Sequence, residues 1–157
     1  MFKPIIINGN SMAPALKDKD WILADFKSGI FKEIKQNDIV IIKYKKEYLI
    51  KRVIGSEGDF IHFENGKVFV NGKKESVKTV GKTEGTDTYV PKNSVFVLGD
   101  NRNTSKDSRI LGAIPLKCVK GKYIEKLSPL KIRNQKPTFC SQNFQTLYTQ
   151  IWNKLNF

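Results

Sequence analysis

Phe60-Ile61-His62-Phe63-Glu64-Asn65-Gly66-Lys67-Val68-Phe69-Val70 holds two short runs of β-branched and aromatic residues joined by Asn-Gly. That dipeptide best tolerates the two positive φ values of a tight hairpin turn, so the stretch reads as a β-hairpin. Asn71-Gly72 repeats the turn signal one strand later. Working outward, residues 21–26, 38–44, 48–54, 94–98 and 119–127 are equally short and rich in Val, Ile, Phe and Tyr, the composition of strands in a pleated, half-buried sheet. The fold class is therefore all-β, an antiparallel sheet or barrel. Residues 76–88 are polar and broken by glycine, which predicts an exposed loop or irregular excursion inserted between strands. Only the end of the chain changes period. Phe144, Leu147, Tyr148, Ile151, Trp152 and Leu155 recur at helical spacing, predicting one C-terminal amphipathic helix.

Composition bounds the function less tightly than the fold. A chain of 157 residues suits one ordinary domain with a real core. Its net charge of +13 implies an anionic partner: nucleic acid, an anionic membrane surface or an acidic protein. The excess is concentrated late. From Pro115 to the C-terminus, eight Lys or Arg face one acid, Glu125. His62 is the sole histidine, which disfavours a histidine-based triad and most zinc sites; as part of an alternating strand it needs no special role. Cys118 and Cys140 are too few for a disulfide scaffold and lack metal-ligand spacing. No metal or cofactor is expected. The apolar run Ile5-Ile6-Ile7 is far shorter than the roughly 20 residues that span a bilayer, so no membrane anchor is expected within these residues.

Four stretches carry the candidate chemistry. In Gly9-Asn10-Ser11-Met12-Ala13-Pro14-Ala15-Leu16, a serine between a strand end and a proline turn is either a turn former or an exposed nucleophile flanked by free amides. In Tyr48-Leu49-Ile50-Lys51-Arg52-Val53-Ile54-Gly55, a lysine interrupts an apolar strand. Alternation puts Leu49, Lys51 and Val53 on one face, so Lys51 is either solvated or held in an apolar site. In the second case desolvation disfavours the ammonium and turns the amine into a base near neutral pH. The run Gly99-Asp100-Asn101-Arg102-Asn103-Thr104-Ser105-Lys106-Asp107-Ser108-Arg109 has more hydrogen-bonding side chains than a turn requires. Arg52 with Asp100, and Asp107 with Arg109, are plausible bracing ion pairs. Asn37-Asp38-Ile39-Val40-Ile41-Ile42 reads as a core strand entered by a turn.

Taken together and in this order, these stretches resemble the sequence boxes of type I signal peptidases, serine–lysine peptidases of the S26 type, over residues 5–121. The character is Gram-positive-like, because Gly9 stands where some members carry a serine that assists the oxyanion. The resemblance implies a signal-peptidase-like fold for 1–130, with 131–157 as a basic linker and helix packed on that domain or at a membrane surface. It implies Ser11 as nucleophile and Lys51 as general base, an established pairing. Ser105 would orient the lysine, with Asp107, Arg109, Arg52 and Asp100 in support. An oxyanion hole would rest on backbone at Ser11 and Gly9. Ile5, Ile7, Met12, Leu16, Leu49 and Ile50 would line pockets for a small-x-small cleavage site. Ala15 departs from the usual threonine, and Asn37 from a usual glycine. The implied partners are pre-proteins bearing signal peptides and an anionic phospholipid surface, with no nucleic acid. The implied location is the outer face of the bacterial plasma membrane. A narrow-substrate processing peptidase of the same family fits the motifs as well. A basic nucleic-acid-binding barrel fits the charge but has no need of the 99–109 loop.

Overall fold

The computed structural model of the chain describes residues 1–26, 29 and 34–128. It divides into two compact units, Met1–Lys126 and Leu127–Phe157. The expected linker and amphipathic helix at 131–157 lie outside the described residues, as does Cys140.

The first unit is built from strands. In chain order they are β1 Phe2–Ile6, β2 Trp21–Asp25, β3 Ile39–Tyr44, β4 Glu47–Ser56, β5 Phe60–Glu64, β6 Lys67–Val70, β7 Lys73–Lys74, β8 Thr88–Tyr89, β9 Ser94–Leu98, β10 Ile114–Pro115 and β11 Val119–Leu127. One short helix, α1 Ser108–Leu111, precedes β10. Seven strands form a sheet in the order β1-β2-β11-β3-β4-β9-β10, and four form a second in the order β7-β6-β5-β8. The β3–β4, β4–β9 and β11–β3 ladders run antiparallel, as do β5–β6 and β1–β2. The expected all-β, antiparallel architecture is what the chain adopts.

Local chemistry explains the connections. Asn65 and Gly66 have φ of 52° and 74°, the paired positive values a two-residue turn needs to match strand twist. The pleat then sorts the apolar residues. On β9, Val95 and Val97 join Val40, Ile42, Val53, Ile114 and Val119 in one core cluster. Phe96 and Leu98, pointing the other way, join Ile54, Ile61, Val68, Val70 and Val90 in a second. β9 is buried along its whole length because each of its faces has a core to fill. A third cluster gathers Ile7, Met12, Leu16, Ile22 and Ile39. It seats the turn that carries Ser11.

Candidate active site

Lys51 lies midway along β4, paired across the ladder with Val40, and only 3% of it is exposed. Of the two environments open to it, the structure selects the buried one. Its Nζ is 2.9 Å from Ser11 Oγ and donates to the Ile50 carbonyl at 2.8 Å. Burial pushes its pKa down from 10.5 to about 8, against the opposing pull of the Asp107 and Asp100 carboxylates. A buried ammonium loses hydration that two carboxylates at a distance restore only in part.

Ser11 is held from below and behind. Met12, 2% exposed, plugs its turn into the third core cluster. The Ser11 carbonyl accepts from the Asn101 N–H at 3.0 Å. Its own N–H makes no hydrogen bond among the described residues. The Gly9 N–H, in contrast, is occupied by Asp18 Oδ1 at 2.6 Å. Of the two backbone positions expected at an oxyanion, only Ser11 therefore has its N–H free.

The 99–109 segment packs tightly behind the pair. Gly99 is obligatory there: a β-carbon at this position would fall 2.2 Å from Ser105 Oγ and 2.5 Å from the Ser11 carbonyl oxygen. Both ion pairs read from the sequence form. Arg52 reaches Asp100 through Nε and Nη2, at 2.8 and 2.6 Å. Arg109 Nε and Nη2 bond Asp107 at 2.9 and 3.0 Å. Burial works against the Asp107 carboxylate, but Arg109 and the Gly99 N–H outweigh it and hold its pKa below the ordinary value. Asp107 also caps α1 by accepting from the Arg109 N–H. Ser105 is 7% exposed; its hydroxyl makes no close hydrogen bond among the described residues, yet it lies near enough to the Asp107 carboxylate to help hold that pKa down, and Lys51 Nζ bonds Ser11 and Ile50 rather than Ser105.

Three contributors to this packing were not read from the sequence. Buried Arg102 donates to the Gly99 carbonyl, to Thr83 Oγ1 and to Glu75 Oε1, at 2.8, 2.6 and 2.5 Å. Val80 bonds both flanks of Asn101, its N–H to the Asp100 carbonyl and its carbonyl from the Arg102 N–H. The 76–88 excursion is thus irregular and mostly exposed outside, while Thr83 and Val80 strap it onto the 99–102 segment. Polar patterning carries no signal of which residues of such a stretch turn inward.

In front of Ser11 runs a groove of about 720 Å³ lined by Ile5, Ile7, Met12, Ile41, Leu49 and Ile50 among others. Five of the six expected pocket residues line it. Leu16 does not: at 1% exposure it packs beneath, in the third core cluster, since the turn after Pro14 directs it inward.

Residues 1–127 match the family model for signal peptidase, peptidase S26. A Signal peptidase I from Bacillus amyloliquefaciens is 34% identical over 122 residues, covering 69% of this chain and 66% of that protein. Signal peptidase I U from Bacillus subtilis is 38% identical, over 69% of this chain and 65% of its own length. Thylakoidal processing peptidase 1 of Arabidopsis thaliana is 34% identical, over 81% of this chain and 42% of its own length. The chain thus spans about two thirds or less of these curated relatives. A crystal structure of a signal peptidase I from Enterococcus faecalis superimposes with a TM-score of 0.48 at 27% identity, covering 57% of this chain and 95% of that one. The chain belongs to the signal peptidase S26 family.

Proposed function

We propose that this member of the S26 family is a serine endopeptidase that removes signal peptides from secreted pre-proteins, with Ser11 and Lys51 as its dyad. The observation that carries the reading is a buried lysine amine 2.9 Å from a serine hydroxyl at the wall of an apolar groove. With a pKa of about 8, roughly a tenth of Lys51 is neutral at pH 7, enough to act as a base.

The neutral amine takes the Ser11 proton as Oγ bonds to the carbonyl carbon of the residue ending the signal peptide. The resulting oxyanion faces the free Ser11 N–H. As the intermediate collapses, the C–N bond breaks and the Lys51 ammonium protonates the leaving amine. A water then gives a proton to Lys51 as its oxygen attacks the acyl ester; the C–O bond to Ser11 breaks, and Lys51 returns the proton to Oγ. Hydrogen-bond accounting suggests a role for Ser105. A neutral amine has two protons and one lone pair; Ile50 accepts one proton and the Ser11 hydroxyl addresses the lone pair. The Ser105 hydroxyl, whose own proton addresses the Asp107 carboxylate, is the proposed acceptor for the second proton, holding the lone pair on Ser11.

The apolar groove favours small, uncharged residues at the cleavage site, in keeping with a small-x-small pattern such as Ala-x-Ala bound as an added strand. The proposed setting is the outer face of the bacterial plasma membrane, where such substrates emerge. A net charge of +13 and exposed Phe2 and Ile6 on β1 favour contact with anionic lipid. No helix of the described residues is long and apolar enough to cross a membrane.

The decisive experiment incubates the protein, with lipid or detergent, with a pre-protein carrying an Ala-x-Ala site, and sequences the N-terminus of the product. Cleavage after the second alanine is expected, and Ser11→Ala or Lys51→Ala should each abolish it. Activity retained by either variant would sink the dyad. Flotation with anionic but not neutral liposomes is expected for the lipid contact.

A further inference from the structure

The groove lining also includes Lys3, Phe26 and Lys120. Lys3 lies over the Phe26 ring, and that ring packs against Gly121, the neighbour of Lys120 in the chain. On β1 the pleat puts Lys3 and Ile5 on one face, and Ile7, just past the strand, continues the pairing through its N–H to the Asp20 carbonyl, so Lys3 stands four residues, about 13 Å, from the Ile7 level at ~3.3 Å per residue. Lys120 approaches from across the sheet. It occupies the irregularity of β11 between Val119 and Gly121, which pair with Ile42 and Ile41; those in turn face Leu49 and Ile50.

Both ammonium groups are positioned, and neither faces a carboxylate among the described residues. Lys3 Nζ sits 5.6 Å from the centroid of the Phe26 ring, an attraction that holds the cation over the aromatic face. Lys120 Nζ donates to the Lys117 carbonyl at 2.7 Å. An ammonium has three protons, so Lys120 keeps two to offer. Among the described residues, Lys19, Lys106, Lys122 and Lys126 each face a carboxylate, whereas Lys3 and Lys120 face none. They border a wall that includes Ile41, Tyr48 and Leu49; both lysines are exposed, so their attraction for a negative charge is modest and weakened by salt.

We infer that Lys3 and Lys120 form a charge-selective subsite that takes an acidic side chain of the bound peptide, about four residues from the scissile bond. An extended peptide laid along β1 advances by the same ~3.3 Å per residue as the strand, so its fourth residue from the cleaved bond reaches the level of Lys3. The subsite rests on the peptidase reading for its register, and a lysine there would be repelled.

The test uses peptides with an Ala-x-Ala site and a single Glu, Gln or Lys at each of the third to sixth positions on either side of the cleaved bond. Cleavage is followed with the unaltered protein and with the Lys3→Glu/Lys120→Glu variant; binding of the same peptides, fluorescently labelled, is followed on the Ser11→Ala background. The expected result is a preference of about threefold to tenfold for Glu over Lys at one position near the fourth, the range two exposed charge pairs supply. It should invert in the charge-reversed variant and fade in high salt. Equal handling of Glu, Gln and Lys at every position, or a preference that the reversal leaves unmoved, overturns the subsite. Binding that shows the inverting preference without any cleavage overturns the peptidase reading and upholds the subsite. If the reversal alters only binding to anionic vesicles, the lysines face lipid and the inference falls.

Discussion

Behind Lys51, Asp100, Arg102 and Asp107 are almost wholly buried, and each is paired: with Arg52, Glu75 and Arg109. In front of Ser11 the lining is mainly aliphatic, and its two outer cations have no carboxylate partner among the described residues. The difference separates two tasks. A buried charge network holds its members to one geometry, because removing one partner leaves the other desolvated and alone. An apolar groove tolerates many occupants, since its contacts are individually weak and without direction. On the proposed reading, aim is set behind the Ser11–Lys51 pair and choice of substrate in front of it.

The sharpest way to break the contrast is Asp107→Ala. It strands Arg109 and frees the Gly99 N–H, and should cost about 3–5 kcal/mol of stability in urea unfolding, with activity lost beyond what unfolding explains. Glu75→Gln comes next. It leaves the Arg102 guanidinium with neutral partners only and should cost on the order of 2 kcal/mol; in the variant that remains folded, kcat should fall while KM holds. A loss confined to KM would place Glu75 with the groove instead.

Lys51→Met tests the cost of burying the proposed base. The folded pKa of about 8 lies below the ordinary 10.5, so between those values the unfolded chain binds more protons than the folded one. Stability from this group therefore rises as pH climbs from about 8 to 10.5, and below pH 8 the full penalty is present. Removing the amine should leave the protein inactive and, at pH 7, more stable by on the order of 2 kcal/mol. In the unaltered enzyme the same ionisation predicts kcat/KM rising to a plateau through pH 8. The smallest effect is expected at Lys106, whose ion pair with Glu47 is exposed at both ends; Lys106→Ala should change stability by no more than about 0.5 kcal/mol.

Much of this was legible in the sequence, and the exceptions share a cause. Strands 60–64, 67–70, 94–98 and 119–127 could be bounded because period and turn chemistry are local. The pairs Arg52–Asp100 and Asp107–Arg109 were readable because few partners were available within the motifs. The first strand, Phe2–Ile6, was read only as a strand end before Ser11, without bounds. Pro4 and Lys3 dilute its pattern, and proline is tolerated there only because β1 is a sheet edge. Leu16 was expected in the groove from the family resemblance, which marks a position near Ser11 but not the direction of a side chain after a turn. Glu75, Thr83 and Val80 stayed hidden because their partner Arg102 lies 19 to 27 residues away. Nothing near them in sequence marks an inward-facing polar residue.

Val80 has a consequence for how the protein opens. Its two backbone bonds to the 100–102 stretch cannot break unless that stretch moves or the excursion lifts, and Asn101 in turn holds the Ser11 carbonyl. The Val80 and Arg102 amide protons should then exchange with solvent at one common rate, slower than those of Glu84 and Thr86 on the outer part of the same excursion. Any fluctuation that bares these amides also loosens the Ser11 turn, so the lifetime of the closed strap bounds the time during which the site is assembled.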